Sequence, residues 1–162
     1  MSLYDLVKKI HFRLYKNNVE NKVCSSSGKF NIFGKVTLEN ARNITIGEGT
    51  TLNEGVYISG HDKVTIGEYV SVSTGVKIIT AYLDEGNINM KKCKDIHMSK
   101  PVNIGGNTHL GAGSIILPGV TIGSNCIVGA GSVVTKCFDS NSVVVGNPAK
   151  LLRYINNKND LC

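Results

Sequence analysis

Aliphatic residues recur at every sixth position in three runs: Ile46, Leu52 and Ile58; Ile66, Val72 and Ile78; then Ile104, Leu110, Ile116, Ile122, Val128 and Val134. Four residues after most of them stands a small or β-branched residue, as at Thr50, Val56, Val70, Val76, Thr108, Ser114, Val120, Cys126 and Ser132. Three residues after, Gly or Asn recurs at Gly49, Gly55, Gly75, Asn107, Gly113, Gly119, Asn125 and Gly131. These two residue types tolerate positive φ, so each marks a corner. Short strands joined by corners and repeated in register predict a parallel β-helix, with stacked coils around an aliphatic interior. No helical pattern lies between the strands, which excludes a doubly wound α/β fold.

The register breaks twice. Between Ile58 and Ile66 two extra residues enter the turn Ser59-Gly60-His61-Asp62-Lys63, and between Ile78 and Ile104 about twenty residues, 81–100, leave the column as an excursion. A long loop inside a compact repeat is usually functional. Ahead of the repeats, Leu3, Leu6, Val7, Ile10 and Leu14 share one helical face, with Asp5, Lys8, Lys9 and Lys16 elsewhere. The expected organisation is an amphipathic helix over 1–22, a β-helix over 23–145 and a C-terminal tail over 146–162. The helix is read as a cap on the open end of the solenoid. Its basic character leaves a peripheral contact with anionic lipid as the second reading.

Composition narrows the function. Eighteen glycines in 162 residues, no Trp and few aromatics argue against a bulky globular core. A net charge of +6, without a Lys/Arg stripe interleaved with aromatics, argues against nucleic acid and for an anionic small molecule. The five cysteines, Cys24, Cys93, Cys126, Cys137 and Cys162, form no C-x-x-C pair, which points to a reducing cytoplasm. Cys126, at an inward repeat position, reads as packing. Lys8, Lys9, Arg13 and Lys16 interrupt any signal-peptide core, and a soluble, cytoplasmic chain is expected. The stretch Val102 to Thr135 contains no Asp, Glu, Lys or Arg. An uncharged β-rich surface of that length is an aggregation hazard unless other subunits cover it.

The run from Ile104 to Gly123, IGGNTHLGAGSIILPGVTIG, then VGAGSVVTK over 128–136 and VGNPAK over 145–150, resemble the hexapeptide-repeat acyltransferases. The resemblance spans roughly 36–155. It is closest to the sugar O-acetyltransferase branch of maltose, galactoside and surface-polysaccharide acetyltransferases. It implies a left-handed β-helix, a homotrimer, and acetyl-CoA held as acyl donor in the groove between subunits, with a small hydroxyl-bearing acceptor and no metal. Handedness comes from the resemblance alone, since the usual crossover rule points the other way.

Acetyl transfer from a thioester to a hydroxyl needs a base for the hydroxyl proton and donors for the tetrahedral oxyanion. Histidine is the natural base, and the chain has His11, His61, His97 and His109. The resemblance places Leu83 where the galactoside and maltose enzymes carry their catalytic His, and Asn53 where they carry its companion Asn. Asp95-Ile96-His97 is similar to the Asp-x-His of serine acetyltransferases, so His97 is expected as base. His109 stands where the family usually has Trp beside the cofactor; it is assigned to the cofactor, with a role as base as the alternative. His11 and His61 are expected to lie far from the last coils.

For the cofactor, pantetheine is an extended amide chain that needs small neighbours, which Gly111, Ala112, Gly129 and Ala130 supply. Its phosphates need cations, and Lys136, Lys150 and Arg153 appear as the uncharged stretch ends. By resemblance, Ala112, Ala130, Thr135, Lys136 and Arg153 match cofactor-contacting positions. Serine O-acetylation, amino-sugar N-acetylation and a non-catalytic trimeric scaffold stay open. A zinc enzyme of the gamma carbonic anhydrase type is disfavoured because His97 and His109 are not on neighbouring positions.

Overall fold

A computed structural model of the chain describes residues 3–25, 28–84 and 97–155. Three parallel sheets form the walls of a prism. The first stacks β1 (Cys24–Ser25), β4 (Ile44–Ile46), β7 (Val64–Ile66), β12 (Val102–Ile104) and β15 (Thr121–Ile122). The second stacks β2 (Asn31–Phe33), β5 (Thr51–Asn53), β8 (Ser71–Val72), β13 (His109–Leu110), β16 (Ile127–Val128) and β18 (Ser142–Val145). There β19 (Lys150–Tyr154) adds antiparallel at the end. The third stacks β3 (Thr37–Glu39), β6 (Tyr57–Ser59), β9 (Lys77–Ile79), β14 (Ile115–Ile116) and β17 (Val133–Val134). The parallel β-helix expected from the period is the observed fold.

Register explains the period. Ile46 pairs with Ile66 and Ile104 with Ile122; Leu52 with Val72 and Leu110 with Val128; Ile58 with Ile78 and Ile116 with Val134. All twelve side chains are buried. Each six-residue step therefore advances one wall, and three steps close a coil. The eight expected corner residues, Gly49, Gly55, Gly75, Asn107, Gly113, Gly119, Asn125 and Gly131, all adopt positive φ. Tyr69 does so too, at φ 56°, in the column that otherwise holds Gly49, Asn107, Asn125 and Asn141.

Inward hydroxyls staple neighbouring coils. Thr50 Oγ1 donates to Gly67 O and accepts from Val70 N, and Thr108 Oγ1 does the same with Gly123 O and Cys126 N. Ser132 Oγ accepts from Gly146 N. Ser114 Oγ, fully buried, has no hydrogen-bond partner among the described residues. Cys126 is buried, and that burial pushes its thiol pKa up, against bonds from the backbone of Ser142 and Asn141. A neutral, enclosed thiol is packing, as its repeat position suggested.

The helix forms as α1 (Leu3–Lys22) but docks by a different face from the expected one. Leu6, Ile10 and Leu14 are 40%, 51% and 62% exposed, whereas Tyr15 and Val19 pack on the core. Tyr15 Oη donates to Val36 O and accepts from Val36 N at 2.8 Å. The anchor is thus a phenol capping an open strand edge, which periodicity of aliphatics does not reveal. Among the described residues no helix is long and apolar enough to cross a membrane. Within the expected tail, Lys150–Tyr154 is β19, and Ala149 N donates to Val133 O.

Candidate active site

The prism has three edges, and the irregularities of the sequence fall on one. After β3 the chain makes the turn Asn40–Asn43, after β6 the turn Gly60–Lys63, and after β9 the excursion. The steps from Leu38 to Ile46 and from Ile58 to Ile66 are each eight residues, so the turns widen where the excursion leaves. Buried Thr80 ties these layers: its hydroxyl donates to Ser59 O (2.7 Å) and accepts from Asp62 N (3.1 Å). Lys100 N donates to Thr80 O, closing the base of the excursion.

From that base rises a two-stranded ribbon, β10 (Ala81–Leu83) against β11 (His97–Ser99), antiparallel with Ala81 opposite Ser99, Tyr82 opposite Met98 and Leu83 opposite His97. Directly opposed residues of an antiparallel pair project to the same face, with Cβ atoms about 5 Å apart. His97 therefore sits across the ribbon from Leu83, the position where the family resemblance called for a histidine. Asp95 and the rest of 85–96 lie outside the described residues. Lys100 Nζ stands 5.0 Å from the Tyr82 ring centroid, on the ribbon's other face.

A cleft of about 450 Å³ opens at this edge, lined by His61, Ala81, His97, Met98 and Ser99. His61 was expected far from the last coils; here it shares a cleft with His97. It is in the cleft because the widened turn of the previous coil stacks beneath the ribbon. Counting the repeats in threes would have shown that both breaks fall on one edge. His61 is held from both ring nitrogens: Nε2 lies 3.6 Å from Glu39 Oε2, and Nδ1 lies 3.5 Å from Asn40 Nδ2. Glu39 Oε2 also accepts from Tyr57 Oη at 2.7 Å. That bond, with burial and the carboxylate charge, raises the Tyr57 pKa. No sequence feature pointed to Glu39 or Tyr57. Asp62 Oδ1 accepts from Lys63 N and its Oδ2 from Ser99 Oγ, which pins the turn to β11.

The other site residues lie elsewhere. Asn53 is on β5, where its Nδ2 donates to Val72 O at 3.0 Å, and it is not among the residues lining the His97 cleft. It does stand on the edge between the second and third sheets, the edge that carries Ala112 and Ala130. There Ala112, Gly113, Ala130 and Gly131 are exposed, Gly131 N donates to Ala112 O, and a Cβ on Gly113 or Gly131 would meet nothing within 4 Å. The result is an open ridge without side chains beyond methyl, which fits an extended amide chain. Gly111, expected beside the cofactor, also has a packing role. It is buried, and a Cβ there would strike Ala130 N at 2.5 Å, so its bareness serves coil stacking.

His109 is exposed on β13, in the second sheet, just before this ridge. Thr135 and Lys136 follow β17 on the excursion edge, with Lys136 Nζ 5.7 Å from the Phe138 ring centroid. Lys150 and Arg153 are exposed on β19. The expected cofactor residues thus divide between the second sheet and two edges of one chain. His11 is exposed on α1. Among the described residues no group of three or more His, Cys, Asp or Glu is placed to hold a metal.

Residues 101–136 match the family model described as bacterial transferase hexapeptide (six repeats). A Dictyostelium discoideum protein named as an acetyltransferase is 37% identical over 146 residues, covering 88% of this chain and 75% of that protein. The chain belongs to the hexapeptide-repeat acetyltransferases. A maltose O-acetyltransferase from Clostridium difficile superposes with a TM-score of 0.81 at 33% identity, covering 88% of this chain and 75% of its own. A galactoside acetyltransferase solved with coenzyme A gives 0.79 at 30%, with 88% and 70% covered. As a member of this family the chain is an acyltransferase, and the scaffold reading falls away.

Proposed function

We propose that this acetyltransferase moves an acetyl group from acetyl-CoA to a saccharide hydroxyl, with His97 as general base, at a site shared between neighbouring subunits of a homotrimer. The observation that carries the reading is the pairing of His97 with Leu83. The ribbon brings an imidazole to within one cross-strand spacing of the place where the family's histidine would stand. His97 takes the acceptor's hydroxyl proton as that oxygen bonds to the acyl carbon, then returns it to the departing sulfur as the C–S bond breaks. The bound donor supplies the activated acyl group. Ala112, Gly113, Ala130 and Gly131 leave its pantetheine arm room along their ridge, with His109 beside it. Lys136, Lys150 and Arg153 carry the charge that its phosphates require. Serine and amino-sugar acceptors are tested beside saccharides.

The division of these groups between two edges supports the shared site. A whole sheet separates the His97 edge from the Ala112 edge within one chain, whereas packing of two prisms would bring one chain's excursion edge against its neighbour's ridge. The uncharged surface from Val102 to Thr135 supports such packing as well.

The test is CoA release measured against a panel of mono- and disaccharides, serine and amino sugars. Turnover is expected with a saccharide, and His97→Ala should lower kcat by roughly two to four orders of magnitude while coenzyme A affinity is kept. Turnover confined to serine or to amine acceptors would overturn the acceptor class. Unchanged kcat in His97→Ala would overturn the base.

A further inference from the structure

Beyond the excursion edge, on the first sheet, lies a second concavity of about 240 Å³ lined by Arg42, Asn43, Thr45, Lys63, Val64 and Thr65. Arg42 is the central residue of the short turn Ala41–Asn43, and Lys63 ends the widened turn after β6. Because Ile44 pairs with Val64 and Thr45 with Thr65, the two turns stack and bring both cations to one end of the same pair of strands. Thr45 and Thr65 project outward beside them, since Ile44, Ile46, Val64 and Ile66 occupy the inward positions. Asn43 Nδ2 donates to Gly60 O at 2.9 Å and fixes one turn on the other.

Among the described residues neither Arg42 nor Lys63 has an ion-pair partner. Asp62, beside Lys63 in the turn, accepts from Lys63 N and Ser99 Oγ, and Glu39 accepts from Tyr57 Oη. Two cations lining one concavity favour an anion between them. A guanidinium fork, an ammonium and two hydroxyls over a concave floor are the donor set for a phosphoryl group.

We propose that the Arg42–Lys63 pocket binds a phosphoryl group of the acceptor, so that the saccharide acetylated here is phosphorylated. This rests on the acetyl-transfer reading of the His97 cleft. The turn Gly60–Lys63 is shared by both concavities: His61 lines the cleft, Lys63 lines the pocket. An acceptor spanning that turn presents its hydroxyl to His97 while its phosphoryl oxygens sit on Arg42 and Lys63. The pocket is also separate from the expected donor phosphate residues. Lys136 lies on the same edge about three strand spacings further along, roughly 15 Å, and Lys150 and Arg153 are on another sheet.

The test is calorimetric titration of the full chain with glucose 1-phosphate, glucose and inorganic phosphate, comparing wild type with Arg42→Ala/Lys63→Ala. Wild type is expected to bind glucose 1-phosphate at least tenfold more tightly than glucose, in a salt-sensitive manner, and to bind phosphate. The double variant should lose that preference, Arg42→Lys/Lys63→Arg should retain most of it, and coenzyme A affinity should be the same in all three proteins. Equal affinity of wild type for glucose and glucose 1-phosphate, or an unchanged preference in the double variant, overturns the proposal. A matching fall in coenzyme A affinity would assign the pocket to the donor and overturn it too. Failure of the acetyl-transfer reading would appear separately, as no CoA release with any saccharide, phosphorylated or not, while the binding preference for glucose 1-phosphate is read independently.

Discussion

At the scale of the residue, the solenoid is unforgiving, because each inward position faces the equivalent position of the coils above and below. Ser114 is the exception that tests this. Its hydroxyl is buried with no hydrogen-bond partner among the described residues, while Ser132, one coil on, accepts a bond from Gly146 N. Ser114→Ala is therefore expected to stabilise the protein by about 1–2 kcal/mol, and Ser132→Ala to destabilise it by about 1 kcal/mol. Paired thermal or urea denaturation reads both, and the same sign for the two substitutions would contradict the assignment. The corner residues were legible one by one, since Gly and Asn declare positive φ by type. Tyr69 was not, because a tyrosine in that conformation is identified only by its place in the column of Gly49 and Asn107. The setting of His61 was not legible for a similar reason: its neighbours Glu39 and Asn40 are about twenty residues away in sequence and one coil away in space.

At the scale of the element, strands were readable and attachments were not. Two- and three-residue strands follow from the six-residue period because register repeats it. The docking of α1 depends on a side-chain hydroxyl, and the pairing of β10 with β11 depends on a ribbon with no hexapeptide pattern. Tyr15→Phe, which removes only the oxygen bound to Val36, should cost about 1–2 kcal/mol. The loss should be local to the helix. Hydrogen exchange is expected to speed up in α1 and at Val36 while the β12–β17 strands keep their protection. Uniform acceleration throughout would mean that the helix is integral to the solenoid's stability. The Tyr57–Glu39 bond adds a pH dependence with a definite sign. A phenol whose folded pKa is raised stabilises the fold below its unfolded value near 10, and that contribution is lost as pH rises through the folded value.

At the scale of the whole molecule, the sequence made the solenoid, its uncharged surface and the ridge of small residues evident, since all three are properties of repeats. The division of the proposed site residues between two edges emerges only from folding six-residue steps into threes. The proposed trimer then makes two measurable demands. Light scattering should give about three chain masses, and a stable monomer at micromolar concentration would contradict the shared site. Further, His97→Ala and Ala130→Trp, each inactive alone, should regain activity when unfolded together and refolded as mixed trimers. Random assembly leaves about a quarter of the sites intact. Activity that stays absent in the mixture would place both groups in one chain's own site.

The most direct measurement concerns the two residues that face each other across the ribbon. His97→Leu should abolish acetyl transfer, and the exchange Leu83→His/His97→Leu should recover a substantial part of the wild-type kcat, because the imidazole returns to the same face about 5 Å away. Full turnover by His97→Leu alone, with coenzyme A still bound and released, would contradict the assignment of the base to this strand pair.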